Sequence, residues 1–212
     1  MDPEIADILE PQRETAVPRE PQAWWWIVSA AVVVLIGVLS VRSGARVPFL
    51  WGVDLGIHEF GHLVTFWAPW PVTAVAGSVF QVAFPLGLAA YFLFARNEPW
   101  AAAPLLAWAG ASSRNVAVYI ADAPFQRLEL LGGPGVKHDW ATLLAGPGLR
   151  FTAPLAGAVE FVGWLLIVAG LLLATVPPVR ETAMRVRADR KAAADLARQA
   201  TLPVREPHGP IG

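Results

Sequence analysis

Cysteine is absent from the 212 residues, which removes disulfides, haem-thiolate ligation and cysteine-held iron–sulfur clusters at once. Charge is scarce too. Asp, Glu, Lys and Arg make up 16% of the chain, with a formal net charge of −1. No basic stripe occurs before the C-terminal tail, so the composition argues against nucleic acid as a partner. Four histidines are too few for the His-rich di-iron centres of membrane desaturases and hydroxylases. Residues 1–23 lack the basic lead of a secretory signal: they hold six acidic residues, two basic residues and four prolines, and read as a disordered, solvated arm. No internal repeat is evident.

Apolar residues are abundant. The chain is 55% hydrophobic with a mean hydropathy of +0.48, beyond the range of an ordinary soluble domain. The fold expected is an all-α, polytopic membrane helix bundle with flexible tails. Segment length and apolar content predict five spans: Trp24 to Val41, Val47 to Trp67, Pro71 to Ala95, Pro99 to Ala121, and Ala153 to Val176. Three domains follow: an acidic Pro-rich arm (1–23), a transmembrane domain (24–176) and a basic cytoplasmic tail (177–212). Pro177-Pro178 is expected to stop the fifth span. Arg180 to Ala200 is then a surface helix facing anionic lipid, and the final Pro-rich residues are disordered. With the N-terminus outside and the C-terminus cytoplasmic, ten basic residues fall inside and five outside, as the positive-inside rule requires. The location expected is the cell membrane.

His58-Glu59-Phe60-Gly61-His62 lies within the second apolar segment. One helical turn separates His58 and His62, which puts both rings on one face, the spacing that lets two imidazoles bind one zinc ion. Glu59 stands on the flank, where it can act as base towards a metal-bound water. A third ligand must come from elsewhere in the chain. His138 and Asp139, in the loop Asp122 to Pro147, are the candidates, and one of the two completes the site. The competing role of this pair is to cap the helical turn that follows. His208, in the tail on the opposite side, is a poor ligand.

Other polar residues converge on the same level. Asp54 precedes His58 by one turn and is placed to accept its second ring proton, or else lines a wet cavity. Gly77 and Ser78 suit close helix approach. Gln81 is a buried amide in need of a partner, and Asn115, Tyr119 and Asp122 share a helix face at i, i+4, i+7. Arg114 requires a counter-charge within its span, with Glu160 as the candidate.

The HEFGH run in a hydrophobic helix resembles the site-2-type, M50-like intramembrane zinc metalloproteases. The resemblance continues in outline through Ala76-Gly-Ser-Val-Phe-Gln-Val-Ala-Phe-Pro85 and Tyr119-Ile-Ala-Asp-Ala-Pro124 to His138-Asp139-Trp140, covering roughly 50 to 150. It implies that His58 and His62 bind zinc and that Glu59 polarises water. In that family the third ligand is an Asp of a later Leu-Asp-Gly motif, which this chain lacks; Asp122 and Asp139 are the possible substitutes. No PDZ or other recognition domain is present. The activity implied is membrane-embedded zinc-dependent hydrolysis, with a membrane protein as substrate or a larger membrane complex as partner. Two alternatives stand beside it: a non-catalytic membrane scaffold or assembly subunit keeping a metal-like core, and a transporter or ion conduit built on Asp54, Arg114, Asn115 and Glu160.

Overall fold

The structure, a computed structural model, describes residues 23–131, 133 and 135–200. Most of the acidic arm, the final Pro-rich residues and His208 lie outside the described residues. Six α-helices follow in chain order: α1 (Ala23–Arg42), α2 (Leu50–Val64), α3 (Trp70–Ala90), α4 (Pro99–Asp122), the short α5 (Asp139–Leu143) and α6 (Thr152–Ala200). A π-helical turn, Tyr91–Ala95, prolongs α3, and a 3-10 segment, Gly146–Phe151, leads into α6. No strand occurs among the described residues.

Helix α4 is the axis of the bundle, packed against α1, α3 and α6. Its small side chains explain the position: Ala102, Ala103, Ala107 and Ala109 are fully buried, and the backbones of the neighbours close in on them. A Cβ on Gly110 would stand 2.5 Å from the Gly163 carbonyl of α6, so that crossing is possible only without side chains. Ser112, Ser113 and Arg114 make α4 too polar to face lipid, and its central position spares it from doing so.

Three helical stretches are long and apolar enough to cross a membrane: Trp24–Arg42, Trp70–Ala95 and the stretch from Gly146 that includes α6. Helix α4 is not one of them, and neither is α2. Its 15 residues reach about 22 Å, short of a hydrocarbon core of about 30 Å. The alternating five-span path changes accordingly. Trp25 at the start of α1 stacks on Trp100 at the start of α4, at 4.9 Å, and Ser40 near the end of α1 accepts from Arg114 at 2.6 Å. Helices α1 and α4 therefore run parallel. Helix α6 runs antiparallel to α4, with Gly163 beside Gly110 and Gly170 beside Ala103. The beginning of α1 thus shares one end of the bundle with Val176, whereas five alternating spans would have put them at opposite ends. The short α2 is the physical reason, because its 15 residues are fewer than a crossing needs.

Pro177-Pro178 does not stop the last helix, which continues through both residues to Ala200. The ring of proline fixes a φ that is itself helical, and the Ala- and Arg-rich sequence downstream propagates the helix. The expected tail helix is present, but as an extension of about 36 Å beyond Pro177 rather than a separate element.

Candidate metal centre

Helices α2 and α3 form a tight antiparallel pair. Gly61 makes it possible: a Cβ there would meet the Ala76 carbonyl oxygen at 2.6 Å. This approach brings Gly77 of α3 under the two imidazoles, where a Cβ would lie 2.6 Å from His58 Nε2 and 2.7 Å from His62 Nε2. Gly77 therefore does more than ease helix contact. Its missing side chain is the space the rings occupy.

Asp139, at the start of α5, completes a triangle. His58 Nε2 and His62 Nε2 are 3.1 Å apart, and Asp139 Oδ2 lies 3.4 and 3.3 Å from them. This group could hold a metal ion, and its donor atoms converge on one point. The triangle has the dimensions such an ion needs. Four ligands at about 2.0–2.1 Å in tetrahedral array are separated by edges of about 3.3–3.4 Å. Tautomers agree with that use. His62 Nδ1 donates to the Thr73 carbonyl at 2.8 Å, which leaves Nε2 with a bare lone pair. The His62 Nε2 lone pair and the Asp139 carboxylate converge with His58 Nε2, and either a proton on His58 or a cation among the three relieves their repulsion. The residues present fit a divalent ion.

Several bonds hold Asp139 in place. The Tyr119 hydroxyl donates to Asp139 Oδ2 at 3.2 Å and accepts from the Asp139 backbone N–H at 3.1 Å. The Trp140 indole donates to Ser78 Oγ at 3.0 Å, tying α5 to α3. Burial pushes the Asp139 carboxyl up, but the His58 and His62 contacts outweigh it and hold the group well below the ordinary carboxylate range.

His138 is not the third ligand. Its Nδ1 accepts from the Ala141 backbone N–H at 3.2 Å, so it caps α5, and its ring stacks on Tyr119 at 4.2 Å. The proton is then on Nε2, which faces Asp122 Oδ2 at 3.5 Å. Burial lowers the basicity of His138, and the Asp122 and Asp139 charges oppose that effect. Asp122 is occupied with the loop: it accepts from the Arg127 and Leu128 backbone N–H groups, both at 3.0 Å.

Asp54 likewise serves elsewhere. It accepts from Trp108 Nε1 at 2.8 Å and Ser112 Oγ at 2.9 Å, fastening α2 to α4, and no hydrogen bond joins it to His58 among the described residues. Gln81 Nε2 donates to Asn115 Oδ1 at 3.0 Å. Arg114 pairs with Glu160 at 3.3 Å, as the sequence suggested, and stacks over Trp164. Asp54, Arg114, Asn115 and Glu160 are thus each engaged between helices, which leaves little for a conduit.

A cavity of about 370 Å³ opens onto the triangle, with Glu59, Gln81, Asn115 and Tyr119 in its walls beside His58, His62 and Asp139. Glu59 is exposed to this space. The centre lies near one end of the bundle: Gly77 is within about 10 Å of the start of α3. Sequence reasoning missed Thr73, Gly77 as a cradle, Trp108 and Trp140; nothing in their one-dimensional pattern separates them from ordinary helix-packing residues. The chain matches no protein-family model, no curated protein and no solved structure.

Proposed function

We propose that this protein is a membrane-embedded zinc-dependent hydrolase, an intramembrane peptidase resembling the site-2-type metalloproteases. The observation that carries the reading is the His58–His62–Asp139 triangle opening into a cavity that also exposes Glu59. Two neutral imidazoles and one carboxylate form a donor set suited to zinc, with a fourth position left for the reaction. When bound, such an ion supplies Lewis acidity towards water and towards a carbonyl oxygen. Glu59 accepts the proton from the attacking water and returns it to the departing amine. Gln81 and Asn115 orient the substrate. Their mutual bond uses Gln81 Nε2 and Asn115 Oδ1, so Gln81 Oε1 is available as an acceptor and Asn115 Nδ2 as a donor. A peptide unit offers the complementary pair. Tyr119 keeps Asp139 in register throughout.

The bundle sits in the cell membrane with α1, α3, α4 and α6 crossing and α2 entering part of the way. Basic residues orient it. Arg96 and the tail residues Arg180, Arg185, Arg187, Arg190, Lys191 and Arg198 belong to one end, against Arg42, Arg127, Lys137 and Arg150 towards the other. The tail end is cytoplasmic, the start of α1 lies with it, and the centre opens towards the outside.

The test is zinc-dependent cleavage of fluorogenic membrane-anchored peptides by the full chain in nanodiscs. Wild type cleaves them, and Glu59→Gln keeps its zinc but loses turnover by at least about a hundredfold. Equal activity in the two proteins removes the hydrolase reading. Absence of cleavage by wild type, with its zinc in place, leaves the scaffold.

A further inference from the structure

We infer that the cavity selects an acidic peptide segment, read by Arg46 and Lys137; this specifies the substrate of the proposed hydrolase and rests on that reading. Arg46, in the α1–α2 connection, and Lys137, two residues before Asp139, both line the cavity, and both are exposed to it. Neither has a carboxylate within ion-pairing distance among the described residues. The carboxylates that share the cavity are otherwise placed. Asp139 belongs to the triangle, Glu59 flanks it and Glu129 stands apart, three negative charges against Arg46, Lys137 and a divalent ion. The loaded cavity is therefore net positive.

The rest of the lining is apolar, including Trp51, Leu55, Val118 and Leu130, so the occupant presents apolar surface as well as negative charge. The position of the charge can be read from α2. The Arg46 guanidinium lies over the Trp51 ring at 5.5 Å, and Trp51 is seven residues before His58, about 10 Å along the helix. That distance is about three residues of extended peptide. An acidic side chain about three residues from the reacting amide then meets Arg46, with Lys137 adding to the same positive field. Gln81 Oε1 and Asn115 Nδ2, which their mutual bond does not use, favour a peptide over an anionic lipid, which offers no amide of that polarity.

Binding is measured with zinc-loaded Glu59→Gln full chain in zwitterionic nanodiscs. The probes are fluorescent peptides of one apolar sequence carrying Glu, Gln or Lys three residues from the centre. The Glu peptide is expected to bind about tenfold more tightly than the Lys peptide, from two exposed cations together. High salt narrows the gap. Arg46→Glu with Lys137→Glu reverses the order while the zinc content, checked in the same samples, stays at one per chain. The inference is overturned if Glu and Lys peptides bind alike, if no peptide binds, or if the preference survives the double reversal. It is also overturned if anionic lipid in the disc abolishes peptide binding, which would make lipid the occupant. Cleavage by wild type without charge preference removes this inference alone, whereas charge-selective binding without cleavage removes only the hydrolase.

Discussion

Gly77→Ala places one methyl group inside the metal centre and leaves the ligands themselves unchanged. The added carbon would lie 2.6 Å from His58 Nε2, 2.7 Å from His58 Cδ2 and 2.7 Å from His62 Nε2, where ordinary contacts begin at 3.4 Å. Relief therefore requires the rings to move by about 0.7 Å, or α3 to back away by as much. Metal bonds tolerate about 0.2 Å, so the triangle cannot keep its edges. Overpacking of this kind costs about 1–3 kcal/mol, equivalent to a loss of zinc affinity of about fivefold to about 150-fold. The helix itself does not suffer, since alanine is the better helix former. A chelator competition titration reads the affinity, with far-ultraviolet circular dichroism as the check on folding. Gly87→Ala on the same helix is the control, because a Cβ there meets nothing within 4 Å. If Gly77→Ala binds zinc as tightly as Gly87→Ala, the imidazoles do not occupy the space above Gly77 and the account of the cradle is wrong.

Tyr119→Phe removes the hydroxyl that clamps Asp139 and should weaken zinc binding by about tenfold in the same titration; an unchanged affinity would show the clamp to be idle. His138→Ala removes the cap on α5 and should cost about 1 kcal/mol in denaturant unfolding, with full zinc content, since the ring caps rather than ligates. A chain without cysteine suits accessibility labelling. Cysteines introduced at Trp24 and Met184 should react from one side of the membrane, and those at Phe125 and Leu131 from the other. Labelling of Trp24→Cys and Met184→Cys from opposite sides would refute the end that α1 and α6 share.

The helices were legible because hydrophobic runs and breakers are local signals. Pro69, Pro71 and Pro99 bracket α3 and open α4, and the apolar stretches lie between such marks. The HEFGH spacing was legible for the same reason, since a one-turn repeat needs no tertiary information. Direction was not. Whether α2 crosses depends on where Leu50 begins, and the apolar residues from Val47 onward look continuous with a span although the helix is only 15 residues long. Nor could the sequence separate His138 from Asp139. Both precede the same short helix, and their roles divide only when the His138 ring stacks on Tyr119 and the Asp139 carboxylate meets the rings of α2. Asp54 illustrates the same limit. Its place one turn before His58 suggested a bond between them, yet Trp108 and Ser112 approach from α4 and take its carboxylate.

Metal content of the purified full chain and its single variants tests the centre most directly. Elemental analysis should return about one zinc per chain for the wild type and for His138→Ala, and none for His58→Ala, His62→Ala or Asp139→Ala. A wild type that takes up no metal, or zinc retained in Asp139→Ala and lost in His138→Ala, would contradict the assignment of these three ligands.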